Sequence, residues 1–326
     1  IHSPLVSKAP CSRSSESGVR AGGVDEVLRL DGVSITARES GYDLVGPVSL
    51  TINKGEIFGV VGESGSGKTL TALSIPRLLP QQLKTRGSIT LEGQELLSLS
   101  EAQMRSVRGR AVTVIFQEPA SALNPVFTVG QQIEAVIRAN TDLRGSAVTE
   151  RMYELLARVG IPDPARRSRA YPHQFSGGMC QRVMIAMALA SGARLLIADE
   201  PTTALDVTIQ AQIVDLLLKL AREEGLTIIF VSHDLGLIAE TCDRIAVFYA
   251  GEIVEVGDID DIILRPKHPY TQALVGATPD MSEVGRLLRG IPGYPPVAGK
   301  WPTGCRFRPR CAMATAGCES RQELRP

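Results

Sequence analysis

The stretch GESGSGKT, residues 62–69, directly follows the apolar run IFGVV of residues 57–61 and leads into the helical pattern KTLTALS. It fits G-x-x-x-x-G-K-[ST] in full, in the strand-to-helix setting that this motif requires. Glycines let successive backbone N–H groups face one point, and the start of the following helix adds positive potential. The stretch therefore predicts a loop that binds the phosphates of a nucleotide, made of Gly62, Glu63, Ser64, Gly65, Ser66, Gly67, Lys68 and Thr69. We expect Lys68 to contact the β- and γ-phosphates and Thr69 to bind Mg²⁺.

The rest of the chain alternates between short apolar runs and helical patterns. Runs at 87–93, 111–116, 195–199 and 227–232 predict strands, and residues 207–225 predict an amphipathic helix that ends at a glycine. Such alternation predicts an α/β fold with a largely parallel sheet and ligands at the carboxyl ends of its strands. We expect a terminal hairpin at 244–257, turning at Ala250 and Gly251. Residues 1–25 have the composition of a disordered leader, and prolines become frequent after Arg265, where we place a domain boundary.

Composition narrows the function classes. Lys and Arg together number 35, as do Asp and Glu, so the chain has no net charge that would favour nucleic acid as a partner. No apolar run approaches the roughly 20 residues that span a bilayer. The first residues lack the apolar segment of a secretion signal, so we expect a reducing, cytosolic environment in which a disulfide-rich tail is disfavoured.

A second motif, LLIADEP at residues 195–201, complements the phosphate loop. Its apolar residues predict a buried strand, and Asp199 stands at the end of that strand, where it can hold Mg²⁺ through water. Glu200 follows and can polarise the attacking water, either as a general base or by orienting it. Solvated acids at a strand end are common when the motif stands alone, but the phosphate loop favours the functional interpretation.

The stretch FSGGMCQRVMIAMALA, residues 175–190, lies just upstream and resembles the signature motif of ABC (ATP-binding cassette) ATPases, usually LSGGQ. Phe175 and Met179 replace the commoner Leu and Gln at its edges. Other elements of the family occur in order. They are Gln117 in IFQEP as the Q-loop, Asp206 in TALD as the D-loop, and His233 in VSHD as the switch histidine.

This resemblance covers roughly residues 26–265 and implies an ABC-type P-loop ATPase. The fold would have a mostly parallel core sheet, an antiparallel β-subdomain and a helical signature subdomain at about 120–190. The implied catalytic residues are Glu200, His233 and Gln117, and the implied Mg²⁺ ligands are Thr69, Gln117 and Asp199. In this family two cassettes pair head to tail, so Ser176, Gly177 and Gly178 would contact ATP held by a second ATPase subunit, identical or homologous. The aromatic residue that usually stacks on adenine is missing near Ala37, and Tyr42 is the nearest candidate.

The C-terminal part narrows the resemblance further. RPKHPYTQALVGATPD (265–280) and GCRFRPRC (304–311) are similar to the C-terminal extension of oligopeptide, dipeptide and nickel importer ATPases. The resemblance implies an ATP hydrolase that lies at the cytoplasmic face of the bacterial inner membrane. It would dock on two permease subunits supplied by an extracytoplasmic solute-binding protein, and its residues 266–326 would form a loop-rich extension. Peptides are the expected cargo; nickel or another small solute is the alternative, and a soluble ABC ATPase without a permease is the alternative class.

Three cysteines, Cys305, Cys311 and Cys318, lie close together in that extension. Their spacing lacks the tight pair of most structural zinc sites. Related tails carry a cysteine-ligated [4Fe–4S] cluster, so the resemblance implies that these three residues are ligands, with a fourth cysteine expected beyond Pro326. The alternative is three unligated thiols in a structural loop.

Overall fold

The computed structural model describes residues 26–203, 205–278, 290–322 and 324. The leader predicted at residues 1–25 lies outside this range. The strands are β1 (Glu26–Ala37), β2 (Asp43–Asn53), β3 (Ile57–Val61), β4 (Leu83–Leu91), β5 (Gln94–Glu95), β6 (Val112–Ile115), β7 (Leu195–Asp199), β8 (Thr227–Ser232), β9 (Arg244–Tyr249) and β10 (Glu252–Asp258). The helices are α1 (Lys68–Ser74), α2 (Glu101–Val107), α3 (Pro119–Ala122), α4 (Val129–Asn140), α5 (Ser146–Arg158), α6 (Pro164–Arg167), α7 (Gly177–Ser191), α8 (Val207–Glu224), α9 (Leu235–Thr241), α10 (Ile259–Leu264) and α11 (Pro269–Ala277).

The strands form two sheets. The larger has the order β10-β9-β3-β8-β7-β6 and is parallel except for β10, which pairs antiparallel with β9. Strands β3, β7 and β8 are buried along their whole length, which explains their continuous apolar sequences. The smaller sheet is antiparallel, with the order β2-β1-β4-β5. The sequence-based prediction of a mostly parallel core with an antiparallel subdomain is confirmed.

Two apolar cores hold these layers together. One lies between the antiparallel sheet and the parallel sheet, with Phe58, Ile75 and Phe248 buried against β1, β2 and β4. The other joins the opposite face of the parallel sheet to the helices α4, α5, α7 and α8. Burial of this kind of apolar surface is the main favourable contribution to folding, at roughly 25 cal/mol per Å².

The helix after the phosphate loop is shorter than its pattern predicts. The helical pattern continues toward Pro80, but α1 ends at Ser74. Pro76 follows, and Arg77 adopts a left-handed backbone with φ of 54°. Pro76 has no backbone N–H to donate, and the left-handed Arg77 turns the chain out of the helix, which accounts for the early end.

The C-terminal residues fold back on the ATPase core. The hairpin turn is where the sequence predicts it, with φ of 49° at Ala250 and 84° at Gly251. Helix α11 lies in a region whose sequence shows no periodicity, and it is anchored by the fully buried Tyr270. The indole N–H of Trp301 donates a hydrogen bond of 2.8 Å to the carbonyl of Asp43, so Trp301 holds the tail, residues 290–322, against the core. Within the described residues no helix combines the length and apolar character needed to cross a bilayer.

Candidate nucleotide-binding site

The phosphate loop connects β3 to α1 through a backbone that only glycine adopts easily. Gly62 has φ of 153°, and a Cβ there would lie 2.1 Å from the carbonyl oxygen of Phe248. Gly67 has φ of 99°, and its Cβ would lie 2.9 Å from Val45. Both positions therefore require glycine for space as well as for conformation. The loop is held between the antiparallel subdomain and strand β9.

Lys68 begins α1 and turns back over the loop. Its Nζ donates to the carbonyl oxygens of Gly62 at 2.8 Å and Glu63 at 3.0 Å. Burial lowers the pKa of Lys68, and the nearby carboxylates of Glu200 and Asp199 partly offset this. A buried ammonium group held by neutral carbonyls has unused capacity for an anion, which suits a phosphate ligand.

Two of the three predicted magnesium ligands, Thr69 and Asp199, meet across the sheet. The hydroxyl of Thr69 donates to Oδ1 of Asp199 at 2.9 Å. Burial raises the pKa of Asp199, with a further contribution from Glu200, while Thr69 and Lys68 act in the opposite direction. Hydroxyl and carboxylate oxygens are the donors that Mg²⁺ prefers, usually completed by water and substrate phosphates. The donor set therefore fits a Mg²⁺ ion brought in with a nucleotide.

Glu200 is the centre of a hydrogen-bonded group of polar side chains. Its Oε2 accepts from Nε2 of Gln117 at 2.9 Å and from the hydroxyl of Thr203 at 3.0 Å. Its Oε1 lies 3.3 Å from Nδ1 of His233. The backbone of Glu200 is left-handed, with φ of 46°, a conformation that is costly for a residue with a side chain. The sequence-predicted Gln117, Glu200 and His233 are thus brought together from three different strand ends.

One buried polar atom in the loop has no partner. Oγ of Ser66 is buried and makes no hydrogen bond to any described residue. Its backbone is fixed, since its N–H donates to Glu63 at 3.2 Å and its carbonyl accepts from Gly251 at 2.9 Å. An unsatisfied hydroxyl is expensive to bury, so a ligand oxygen or water at this point would relieve the cost. The hydroxyl of Ser66 can therefore donate to a phosphate oxygen, as can the ammonium group of Lys68.

The signature residues occupy the start of α7. Ser176 is the N-cap, and its Oγ accepts from the N–H of Met179 at 3.4 Å. Ser176 and Gly177 are exposed, so the N-terminal N–H groups of a 15-residue helix face outward. Within the described residues no hydrogen bond joins this helix start to the phosphate loop of the same chain. An exposed helix start with its own anion-binding potential suits a ligand brought by another molecule.

The D-loop residue packs beside the signature. Asp206 caps α8 by accepting from the N–H of Ile209 at 3.0 Å. Ile209 in turn closes on Gly178, where a Cβ would lie 2.6 Å from its Cγ2. Gly178, the second glycine of the signature, is therefore needed for the close packing of α7 on α8.

Tyr42 is the aromatic residue that the sequence offers as the nearest candidate for stacking on adenine. Tyr42 lies in the turn before β2 and is 58% exposed, but its ring is covered on one side by Gly299 of the tail. A cavity of about 220 Å³ separates the phosphate loop from the tail and is lined by Ser64, Ser66, Ala250 and the segment 295–298. The tail thus borders the space next to the phosphate loop, which the sequence did not indicate.

The strand–loop–helix cradle, the Thr69–Asp199 pair and the Glu200 group define a P-loop ATPase of the ATP-binding cassette class. Family models agree: the ABC transporter model matches residues 45–203, and the model for the oligopeptide/dipeptide transporter C-terminal region matches residues 254–318.

Individual relatives and a solved structure point to the same class of protein. A putative peptide import ATP-binding protein of Brucella abortus is 46% identical over 301 residues, which cover 91% of each chain. The dipeptide transport ATP-binding protein DppD of Escherichia coli is 46% identical over 282 residues, 86% of each chain. A dimeric ATP-binding cassette, MJ0796, bound to ADP and Pi in a post-hydrolysis state, superimposes with a TM-score of 0.64 at 28% identity and covers 71% of this chain and 98% of its own. The chain belongs to the family of ABC transporter ATP-binding proteins of the oligopeptide/dipeptide type, and it is an ATP hydrolase.

The three tail cysteines are near one another but are not arranged as a metal site. The N–H of Cys305 donates to the carbonyl of Cys318 at 2.9 Å, and Sγ of Cys311 accepts from the N–H of Met313 at 3.3 Å. Nevertheless, the described residues contain no group of three or more His, Cys, Asp or Glu side chains placed to hold a metal ion. The predicted iron–sulfur cluster therefore has no support from the structure. The other two cysteines in the described part of the chain, Cys180 and Cys242, are buried in the apolar core.

Sequence reasoning missed three residues that touch the site. Thr203 donates to Glu200, the hydroxyl of Tyr270 accepts from the N–H of Glu63 at 3.0 Å, and Arg310 forms an ion pair with Glu63. Thr203 follows Glu200 closely in sequence and could have been suspected. Tyr270 and Arg310 are far away in sequence and carry no local signal.

Proposed function

We propose that this chain is the ATP-hydrolysing subunit of an importer for dipeptides or oligopeptides. The observation that carries the proposal is the convergence of Thr69, Asp199 and Glu200 at one sheet edge beside the phosphate loop. The importer assignment rests on the match of the C-terminal region and on the names of relatives that share most of the chain's length.

In this proposal the loop N–H groups, Lys68 and Ser66 bind the β- and γ-phosphates. Thr69, Asp199 and Gln117 would hold Mg²⁺, which supplies charge neutralisation at the phosphates when it is bound. Glu200 accepts a proton from the attacking water, or orients that water, toward the γ-phosphate. Gln117 and His233 both contact Glu200 and hold its carboxylate toward the γ-phosphate.

We further propose that Ser176, Gly177 and Gly178 act on ATP held by a second cassette. The exposure of Ser176 and Gly177 at the start of α7 supports this role, as does the dimeric form of the related cassette MJ0796. The test mixes a Lys68→Ala chain with a Ser176→Arg chain, each inactive alone. Recovery of ATPase activity on mixing is expected for a homodimer, because one of the two composite sites is then intact. Recovery only with a different cassette would indicate a heterodimer, and no recovery with either partner would contradict action in trans.

The proposed partners are two permease subunits and an extracytoplasmic solute-binding protein, with the ATPase peripheral at the cytoplasmic face of the inner membrane. The direct experiment reconstitutes the chain with its permease subunits in liposomes and measures ATPase activity as solute-binding protein and a dipeptide are added. Stimulation by dipeptide supports peptide import, and stimulation by Ni²⁺ alone supports the nickel alternative. Full activity without any membrane subunit, with no stimulation on reconstitution, would favour a soluble ABC ATPase.

The [4Fe–4S] cluster is a separate proposal. It is supported by the match of the C-terminal family model to a range that contains Cys305, Cys311 and Cys318. The N–H of Cys305 donates to the carbonyl of Cys318, which keeps these two residues close together. Cysteine thiolates are the usual ligands of iron–sulfur clusters. Iron and sulfide analysis of anaerobically purified protein tests it, with Cys305→Ser as the comparison. Protein without iron or charge-transfer absorption would leave the thiols as structural residues.

A further inference from the structure

An ion pair joins Arg310 of the tail to Glu63 of the phosphate loop. Nη1 and Nη2 of Arg310 donate to the two carboxylate oxygens of Glu63, at 2.7 and 3.0 Å. The Arg310 side chain is only 5% exposed and that of Glu63 is 27% exposed. A two-pronged, nearly buried pair is both stronger and more directional than a surface salt bridge.

Arg310 is itself held by the tail and the core. Its Nε donates to the carbonyl of Pro292 at 2.8 Å, and its Nη1 lies 3.3 Å from the hydroxyl of Tyr249. The neighbouring Phe307 is buried with its ring edge-on to Tyr249, at a centroid distance of 5.1 Å. The pKa of Arg310 is raised, mainly by its hydrogen bonds to Glu63, so this guanidinium stays charged.

Glu63 occupies a sensitive position in the loop. It follows Gly62 directly, its carbonyl accepts from Nζ of Lys68, and its N–H donates to the hydroxyl of Tyr270. The charge of its carboxylate also acts on Lys68. A free carboxylate here would lie beside the phosphates of a bound nucleotide and repel them.

We propose that Arg310 is a positioning residue for the nucleotide site, which fixes the phosphate loop through Glu63 and cancels the carboxylate charge that would oppose ATP. The C-terminal extension is then part of the nucleotide site, and the binding of ATP and the docking of the tail stabilise each other by the same factor. The segment 295–298 and the loop residues 63–66 also line one cavity, so a second part of the tail borders the space next to the phosphate loop. This inference rests on the proposed nucleotide site.

The test measures the Kd of magnesium AMP-PNP by calorimetry for the full chain and three variants. Arg310→Met leaves the Glu63 charge uncompensated, and we expect its Kd to rise roughly 5- to 20-fold. The double variant Glu63→Gln/Arg310→Met removes that charge as well and should recover most of the loss. Arg308→Met is the matched control, because Arg308 lies on the same turn but pairs with the exposed Glu319, and its Kd should match that of the unaltered chain.

Steady-state kinetics separates positioning from general damage. Arg310→Met should raise the KM for ATP while kcat changes little, since Arg310 touches none of the reacting atoms. The inference is overturned if Arg310→Met binds AMP-PNP as tightly as the unaltered chain, or if the double variant binds no better than Arg310→Met. If the unaltered chain fails to bind AMP-PNP, the proposed nucleotide site itself is wrong.

A second measurement needs no variant and covers the case in which Arg310→Met does not fold. Trypsin cuts after arginine, and the side chains of Arg306 and Arg310 are only 12% and 5% exposed while the tail is docked, so cleavage after them reports undocking. At a dilution where the chain is monomeric, magnesium AMP-PNP should slow cleavage in this segment at least fivefold, the lower end of the expected coupling. Equal cleavage rates with and without nucleotide would contradict the coupling.

Discussion

The hydroxyl of Thr69 and the carboxylate of Asp199 are hydrogen-bonded at 2.9 Å although 130 residues separate them in sequence. Thr69 opens α1 and Asp199 ends β7, and the parallel order of β3, β8 and β7 brings the two ends to one edge of the sheet. The pair is buried enough that desolvation raises the pKa of Asp199. A cation at this position would compensate that cost.

The first prediction concerns this pair. Thr69→Val removes the hydroxyl and keeps the shape, so the Mg²⁺ concentration for half-maximal ATPase activity should rise about tenfold, the equivalent of one hydrogen bond to a charged group. Thr71→Val is the matched control on the same helix, because its hydroxyl donates only to the carbonyl of Gly67. An unchanged Mg²⁺ dependence in Thr69→Val would remove this residue from the magnesium site.

Glu200→Gln should separate ATP binding from hydrolysis. The amide keeps the size of the side chain but cannot accept a proton from water, so the hydrolysis rate should fall roughly 100-fold or more. The Kd of magnesium ATP should stay within about threefold, because Lys68 and the loop are unaltered. A threefold change in Kd is well under the roughly 1.4 kcal/mol of binding free energy that a tenfold change requires. Phosphate release and equilibrium binding measure the two quantities. Hydrolysis at the unaltered rate would exclude Glu200 as the base.

Gly178→Ala tests the packing between the signature helix and α8. The added methyl would lie 2.6 Å from Cγ2 of Ile209, so overpacking should lower the free energy of unfolding by about 1–3 kcal/mol. Adding Ile209→Ala removes the clashing atom and should recover part of the loss. Gly276→Ala is the control, because no atom lies within 4 Å of its added Cβ, and there alanine should stabilise α11 slightly. Denaturant unfolding compares the variants, and a stable Gly178→Ala would show that Ile209 moves aside freely.

His268 makes stability depend on pH. Its Nδ1 accepts from the N–H of Tyr270 at 3.1 Å and caps α11, which requires the neutral ring. Burial lowers the pKa of His268, against a smaller opposite effect of Glu255. Because the folded form binds the proton more weakly than the unfolded form, its contribution is complete above the unfolded pKa of about 6.5 and is lost as the pH falls below it.

His268→Asn supplies a cap that does not titrate, so its stability should vary less between pH 7.5 and pH 5 than that of the unaltered chain. The control is His173→Asn, since His173 is exposed and should leave the pH dependence unchanged. Thermal unfolding at both pH values measures the difference. Identical pH profiles for His268→Asn and the unaltered chain would contradict this role.

Local sequence patterns determined much of this protein. The strand-to-helix setting of the phosphate loop, the buried runs of β7 and β8, and the turn at Ala250 and Gly251 were all predictable, because each depends on neighbouring residues and on the period of their apolar side chains. The ordered motifs that contain Gln117, Ser176 and His233 predicted the class for the same reason.

Contacts between distant residues were decided only by the tertiary structure. Nothing local to Arg310 distinguishes it from Arg306 or Arg308, yet only Arg310 reaches Glu63, some 247 positions earlier. The helix at Pro269–Ala277 likewise depends on tertiary packing, because the buried Tyr270 anchors it. The physical reason is that a motif encodes the conformation of its own backbone, whereas the partner of a charge and the burial of a tail depend on which surfaces the completed sheet places side by side.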